Sequence, residues 1–203
     1  MKKWMIPLLL LAGLVGLSGC TLGSHGSGPE FTPGSWQDDS FESTFLDLRF
    51  TQPTGWVAST PAELAGMSSE ADKTLDRQKG GDGQSPESVF HYELSVKDPD
   101  SGTGVLILVQ QYAASTSDYA AGLKAGAAAQ GATYTVGDAA DRELAGHRYL
   151  VIPVMVEGQN APYQRQYVRK EGDYLIQLLL FSPQEGQSYF DGLEANFSKL
   201  SDG

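Results

Sequence analysis

The chain has 203 residues, a formal net charge of -11 at pH 7 and a single cysteine. This length suffices for one domain with a substantial core, or at most for two small domains. The negative charge argues against binding to nucleic acid or attraction to anionic lipid headgroups, because both are negatively charged themselves. A lone cysteine excludes an intramolecular disulfide and a metal site built from several cysteines.

The first twenty residues have the order of a secretory signal. Lys2 and Lys3 form a short positive region, an apolar stretch over 5–17 follows, and small residues lead to Cys20. The apolar stretch is shorter than the roughly 20 residues that a membrane-spanning helix needs. The ending Leu-Ser-Gly-Cys resembles a bacterial lipobox, in which the thiol receives a diacylglyceryl group before cleavage. The sequence predicts a lipoprotein signal peptide over 1–19 and lipid attachment at Cys20; a plain signal peptide beside an unrelated cysteine is the alternative.

Cleavage before Cys20 removes two lysines and no acidic residue, so the net charge changes from -11 to -13. Attachment to the bilayer then depends on acyl chains, which contribute about 0.8 kcal/mol for each buried methylene. We expect the mature protein to be extracytoplasmic and anchored to the cell membrane. In a Gram-negative source, Thr21 in place of Asp after the cysteine directs it to the outer membrane.

A linker and one folded domain are expected after the anchor. Residues 20–35 are rich in Gly, Ser and Pro, a composition that is typical of a flexible tether. Regular hydrophobic patterns begin at Trp36. The sequence therefore predicts a linker over 20–35 and a single domain over 36–203.

The first half of this domain alternates between strand and turn patterns. Apolar alternation predicts strands over 45–50 and 89–97, and an unbroken apolar run predicts a strand over 105–109 after a hairpin turn at 98–102. A Thr-Pro-Ala-Glu capping box predicts a short helix ending near Met67, and the polar residues 68–86 predict a mobile loop. Strand 89–97 is expected to place four apolar side chains on one face: Phe90, Tyr92, Leu94 and Val96.

The second half has longer apolar elements. Two strands are apolar on both alternating faces, so cover is needed on both sides of the sheet. Pro153 should lie at an edge, a bulge or a strand end, because it has no N–H to donate. Phe197 is expected in the core, on a final helix that Ser182 caps. The expected elements are a helix over 117–130, strands over 149–156, 163–169 and 174–181, and a helix over 182–200.

Together these elements predict an α+β fold, a mostly antiparallel β-sheet with helices packed on its faces. The Pro-x-Gly-Trp motif ending at Trp56 and the Leu-x-Gly-x-x-Tyr motif ending at Tyr149 carry a resemblance. The chain resembles the uncharacterised extracytoplasmic lipoproteins common in clostridia and, more distantly, DcrB-like and PsbP-like domains. The resemblance covers about Trp36 to Leu200 and implies a PsbP-like α/β/α sandwich. It implies no catalytic residue and no cofactor.

Motifs for chemistry are weak in this sequence. The Asp-Pro-Asp-Ser-Gly segment at Asp98 begins like a calcium loop, but Val109 stands near the position where an EF-hand needs glutamate. His91 and His147 have no second histidine or cysteine at ligand spacing, so both are expected to be ordinary surface or hydrogen-bonded residues. No nucleophile elbow, zinc motif, P-loop or dinucleotide fingerprint occurs. We expect no metal, no cofactor and no enzymatic activity.

If the protein has a recognition surface, one stripe of side chains is the candidate for it. Alternate residues of strand 163–169 are Tyr163, Arg165, Tyr167 and Arg169, and tyrosine and arginine are enriched at binding hot spots. The alternative is that the tyrosines pack beneath a helix while the arginines extend outward.

The sequence favours a lipid-anchored binding or accessory module that holds an envelope protein or ligand near the membrane. A hydrolase with a non-motif active site, or a structural spacer, remains the alternative. A cleft with paired carboxylates or a Ser–His contact would favour the hydrolase.

Overall fold

The computed structural model describes residues 29–78, 80–81, 89–129 and 134–202. Cys20, the signal sequence and most of the expected linker lie outside this range. None of the helices in the described part is long and apolar enough to cross a membrane.

The described chain contains twelve strands and three α-helices and ends in a 3₁₀ turn over Leu200–Asp202. In chain order, they are β1 Ser35–Gln37, β2 Ser40–Ser43, β3 Leu48–Thr51, β4 Val57–Ala58, α1 Pro61–Gln78, β5 Phe90–Lys97, β6 Gly104–Gln111, α2 Thr116–Ala129, β7 Tyr134–Val136, β8 Ala140–Leu144, β9 His147–Val156, β10 Tyr163–Glu171, β11 Tyr174–Ser182, α3 Gln187–Glu194 and β12 Phe197–Lys199.

The strands form two sheets. The larger sheet has the order β4-β5-β6-β11-β10-β9-β7, with β8 also paired to β9, and the smaller has the order β1-β2-β3-β12. Strand pairing in both described sheets is antiparallel. In the larger sheet, hairpins join β5 to β6, β8 to β9, β9 to β10 and β10 to β11. At the centre of the sheet, β11 pairs with β6, although α2 and β7–β10 lie between them in the sequence.

The core lies on both faces of the larger sheet. On one face, side chains of β6 and β11 pack against the smaller sheet and α3 in the largest cluster of buried residues. On the other face, α2 and α1 each cover a separate apolar cluster. This arrangement confirms the expected α+β fold, with a mostly antiparallel sheet that has helices on its faces. One covering layer differs from the expectation, because it consists of a small sheet together with α3.

The expected helix over 182–200 is wrong at both ends. Strand β11 continues through Ser182, α3 spans only Gln187–Glu194, and the chain then forms β12. Residue Phe197 is paired with Phe50 of β3, and the two rings lie 5.1 Å apart. Phe197 is buried, as expected, but it reaches the core from a strand. Pairing with β3 therefore outweighed the local helical pattern.

Helix α1 is longer than the sequence predicts. The capping box forms as expected: the Thr60 N–H donates to Glu63 Oε2 at 2.7 Å, and the Glu63 N–H donates to Thr60 Oγ1. The helix then continues to Gln78 through residues that were expected to form a loop. Ala71 and Leu75 are buried against β5, so tertiary packing extends a helix whose sequence is mainly polar.

Strand β5 contains a β-bulge that breaks the expected alternation. The register with β6 shifts between Tyr92 and Leu94. As a result, Phe90 and Tyr92 pack in the cluster beneath α1, whereas Leu94 and Val96 pack in the main core on the opposite face. The prediction that all four share one face is wrong, because a bulge inserts an extra residue and reverses the facing of the side chains beyond it.

Helix α2 and Pro153 lie close to their expected positions. Helix α2 begins at Thr116, one residue before the expected start, and the Ser115 hydroxyl accepts the Asp118 N–H at 3.1 Å. Pro153 lies inside β9, at the point where the outer neighbour changes from β8 to β7. Its carbonyl accepts the Gly137 N–H at 2.8 Å. Pro153 has no N–H to donate, and it lies between the part of β9 that pairs with β8 and the part that pairs with β7.

Candidate functional site

The Tyr–Arg stripe of β10 faces the interior. Tyr163 and Arg165 are partly buried, Tyr167 has no exposed surface and Arg169 is 9% exposed. The structure therefore corrects the expectation of an open recognition face. The physical reason is that the smaller sheet and α3 cover this side of the larger sheet, which strand periodicity alone does not reveal.

Tyr167 and Arg165 belong to a polar cluster around Glu194 of α3. The Tyr167 hydroxyl donates to Glu194, and Arg165 Nη1 lies 3.7 Å from the same carboxylate oxygen. Arg142 of β8 donates to the other oxygen from Nε at 3.0 Å and from Nη2 at 2.7 Å. Burial, together with the neighbouring Glu194 carboxylate, raises the pKa of the Tyr167 hydroxyl. These contacts hold α3 against the sheet, so the cluster acts as a structural clamp.

Arg169 joins the larger sheet to the smaller one. Its Nη2 donates to the Leu46 carbonyl at 2.8 Å, and its Nη1 pairs with Glu171 at 2.7 Å. Its guanidinium carbon lies 5.7 Å from the centre of the Tyr149 ring. The Arg169 guanidinium group is therefore engaged by groups of the same chain.

A different group stands out for its chemistry: Glu93, a partly buried carboxyl on the bulge of β5. The Gly34 N–H donates to its Oε2 at 2.7 Å. Burial raises the pKa of Glu93 to about 7, and the hydrogen bond from Gly34 opposes that rise. Glu93 therefore changes its charge near neutral pH, where an ordinary glutamate is fully ionised.

An aromatic group lies beside this carboxyl. The Phe31 ring stacks on His91 at 4.4 Å between centroids, with an interplanar angle of 22°. It also meets Phe45 edge-on at 5.3 Å and Tyr174 at 6.0 Å. Burial lowers the pKa of His91, although Asp72 opposes the shift. The imidazole is therefore neutral at neutral pH.

We use the name Glu93 site for Glu93, His91 and the two residues that contact them from the N-terminal segment, Phe31 and Gly34. It brings a titratable carboxyl, an imidazole and the segment that precedes β1 into one place. A carboxyl that titrates near pH 7 can exchange a proton at physiological pH. Sequence reasoning missed this site, since the bulge that turns Glu93 inward cannot be read from an alternating pattern.

The remaining candidates have structural roles. Asp98 closes the turn between β5 and β6: its side chain accepts the Asp100 N–H at 2.9 Å and the Ser101 hydroxyl at 2.6 Å. These bonds lower the pKa of Asp98. The interpretation of this segment as a hairpin turn is confirmed.

His147 lies in a clasp around Asp47 that fastens the end of the described chain. Its Nε2 is 3.2 Å from the Asp47 carbonyl oxygen and 3.5 Å from Oδ2. The Ser201 hydroxyl donates to Asp47 at 3.4 Å, and Lys199 Nζ lies 3.8 Å from the same oxygen. The serine hydroxyl thus bonds to the aspartate, which is not the order of a Ser–His–Asp triad. Within the described residues, no group of three His, Cys, Asp or Glu side chains is arranged to hold a metal ion.

No family model matches this chain, and no curated protein is significantly similar to it. Among solved structures, it is similar to the solution structure of cyanobacterial PsbP (CyanoP) from Synechocystis sp. PCC 6803. The two share 16% sequence identity over 88% of this chain and 98% of that chain, with a TM-score of 0.45. A PsbP-like domain is also what the sequence resembles. The strand order and pairing of this chain itself define its α+β fold.

Proposed function

We propose that this protein is a lipid-anchored extracytoplasmic module that binds a partner protein or ligand of the cell envelope and does not catalyse a reaction. The single observation that carries the proposal is the Leu-Ser-Gly-Cys sequence ending at Cys20, preceded by an apolar stretch and two lysines. The described part of the chain begins at residue 29, nine positions after this cysteine in the sequence.

Two clusters of polar side chains, at Glu194 and at Asp47, have structural rather than catalytic roles. The clamp at Glu194 and the clasp at Asp47 are both closed by bonds between elements of the fold. Groups that are held in this way stabilise the domain and are poorly placed to act on a substrate. The Tyr–Arg stripe is too buried to be the docking surface for a partner.

Lipid attachment is tested by metabolic labelling of the full chain with an alkyne-bearing palmitate analogue, followed by mass spectrometry of the N-terminal peptide. We expect label on the wild type and an N-terminus at a diacylglyceryl Cys20. The Cys20→Ala variant should remain an unlabelled precursor that retains residues 1–19. Ser24→Ala, just past the cysteine, is the matched control and should be labelled as the wild type is. Mature, unlabelled wild type cleaved elsewhere would contradict the anchor.

Binding is tested separately, by crosslinking in intact cells that express the wild type or Cys20→Ala. A partner that crosslinks to the anchored wild type, with yield that saturates as expression rises, supports the module. The purified protein is also tested against broad esterase, peptidase and glycosidase substrates. Turnover that a single point substitution abolishes would show that the protein is an enzyme.

A further inference from the structure

Residues 30–34, which we call the strap, connect the N-terminal region to β1 and lie across the bulged end of β5. Two residues hold the strap: the Phe31 ring contacts His91, Phe45 and Tyr174, and the Gly34 N–H donates to Glu93. The exposed side chains between them, Thr32 and Pro33, add little burial. The strap is therefore fastened at two points, and both of them contact β5.

Gly34 allows the strap to lie close to β2. A Cβ atom at this position would lie 2.3 Å from the Phe41 ring and 2.8 Å from the Glu42 carbonyl oxygen. Only a residue without a side chain lets the backbone approach Glu93 here. The strap thus covers the Glu93 carboxyl with main chain, and its removal would return the carboxyl to water.

We propose that the strap is a proton-controlled latch, docked on β5 while Glu93 is protonated and released as Glu93 ionises. A neutral carboxyl is buried at little cost and still accepts the Gly34 N–H. An ionised carboxyl gains hydration when the strap leaves, and this gain outweighs the one hydrogen bond that is lost. The docked state therefore holds the proton more tightly than the open state, and linkage makes docking weaken as the pH rises.

Among the described residues, few charged groups lie near Glu93. His91 lies on the same strand, and Asp72 of α1 acts electrostatically on its imidazole. On the smaller sheet, Glu42 and Arg49 form an ion pair at 2.8 Å. Glu30 of the strap is exposed to solvent. Burial disfavours the protonated His91 ring, so its protonation also weakens docking, but only at pH values below its lowered pKa. Glu93 is therefore the group that controls docking between pH 6 and 8.5.

The latch itself does not require lipid attachment. Its effect on the reach of the domain does require it, and that effect therefore rests on the proposed function. If the protein is anchored through Cys20, release of the strap lengthens the tether and increases the distance that the domain can reach from the membrane. A partner site near the membrane would then be reached differently on the two sides of neutral pH.

Hydrogen exchange of the full chain in detergent micelles tests the latch, with strap peptides followed by mass spectrometry between pH 6 and 8.5. Rates are corrected for the intrinsic pH dependence of amide exchange. We expect protection of the Gly34 amide, which donates to Glu93, to fall by up to about tenfold over this range, as linkage requires for a carboxyl that shifts from an ordinary pKa to one near 7. Amides of the central strand β11 should keep their protection throughout.

Three variants complete the test. Glu93→Gln keeps the hydrogen bond without the charge, so strap protection should stay high and independent of pH. Glu30→Gln, the matched control, should retain the wild-type pH dependence. Phe31→Ala should lose strap protection at every pH while β11 stays protected. A wild-type strap without pH dependence, or a pH dependence that persists in Glu93→Gln, would overturn the latch. Neither result bears on lipid attachment, which the Cys20 experiment decides.

Discussion

The pKa of Glu93 depends on the position of this residue in the backbone. The bulge of β5 directs its carboxyl toward the covered face of the sheet, and the strap limits its contact with water. A folded pKa of about 7 lies above the ordinary value of 4.5, so the folded state binds the proton more tightly than the unfolded chain does. Stability from this group is complete below about pH 4.5 and is lost as the pH rises to about 7.

We therefore predict that Glu93→Gln is more stable than the wild type at pH 8 and nearly equal to it at pH 4.5. The difference in the free energy of unfolding should grow by about 2–3 kcal/mol between these pH values. Urea denaturation of both proteins at several pH values measures it. A constant difference across the pH range would mean that Glu93 titrates as an exposed glutamate does. Glu30→Gln again serves as the control.

Tyr167 illustrates a second residue whose burial defines its role. Its hydroxyl donates to the Glu194 carboxylate in the main core beneath α3. We predict that Tyr167→Phe lowers the free energy of unfolding by about 1.5–3 kcal/mol, because a hydrogen bond to a charged group is lost while the ring remains. Thermal or urea unfolding measures the change. Tyr189→Phe removes a hydroxyl from a side chain that is 45% exposed and should change stability little. Equal effects of the two variants would contradict the clamp.

At the scale of elements, α1 protects the open edge of the larger sheet. Strand β4 pairs with only the end of β5, at Lys97 and Val96. Farther along β5, the side chain of Asp72 accepts the Val89 and Phe90 N–H groups at 2.9 and 3.1 Å. Ser68 accepts the N–H of Tyr92 at 3.0 Å. Side chains of a helix thus occupy donors that another strand would otherwise pair with.

We predict that the double variant Ser68→Ala/Asp72→Ala loses about 1–2 kcal/mol of stability and self-associates at high concentration, because these edge donors lose their partners. Unfolding curves measure the first effect, and sedimentation velocity over a range of concentrations measures the second. Lys73→Ala, on the same helix, is the control. A double variant that remains monomeric would show that the edge is protected by other means.

Helix α2 is positioned by a buried polar group. The Tyr119 hydroxyl lies 2.9 Å from the side-chain oxygens of both Gln166 and Gln177. Gln177 in turn donates to Gln110 at 3.2 Å, so three neighbouring strands are joined beneath the helix. Such a network fixes how the helix sits on the sheet, since a buried polar group without a partner is costly.

At the scale of the whole molecule, both ends of the described chain are fastened to the same core. At one end, the centres of the Phe31 and Tyr174 rings lie 6.0 Å apart. At the other end, the Ser201 N–H donates to Asp47 at 3.1 Å. We predict that a chain of residues 29–203 unfolds in one cooperative transition. A chain of residues 35–203 should also fold but should be about 1–2 kcal/mol less stable at pH 6, because it lacks the strap contacts.

Calorimetry of the two truncated chains at pH 6 measures this difference. Two separate transitions in 29–203 would mean that the chain contains more than one folding unit. Equal stability of the two chains would mean that the strap contributes nothing to folding.

Features that depend on neighbouring residues could be predicted from the sequence. Turn chemistry at Asp98, the capping box at Thr60 and the apolar strands β6 and β11 all form where local patterns predict them. Apolar strands with two buried faces also required cover on both sides, which led to the α+β class. The lipobox at Cys20 is likewise a local pattern, and it remains a prediction.

Features that depend on residues far apart in the chain could not be predicted in this way. Phe197 lies in a strand because β3 offered an edge with which to pair, although its own segment has a helical pattern. Tyr167 is internal because α3 and the smaller sheet cover that face. Glu93 is shielded because a bulge and the strap meet there, and a local pattern records neither. Contacts between residues far apart in the chain change burial and pKa without leaving a local trace, so the candidate site could not be read from the sequence.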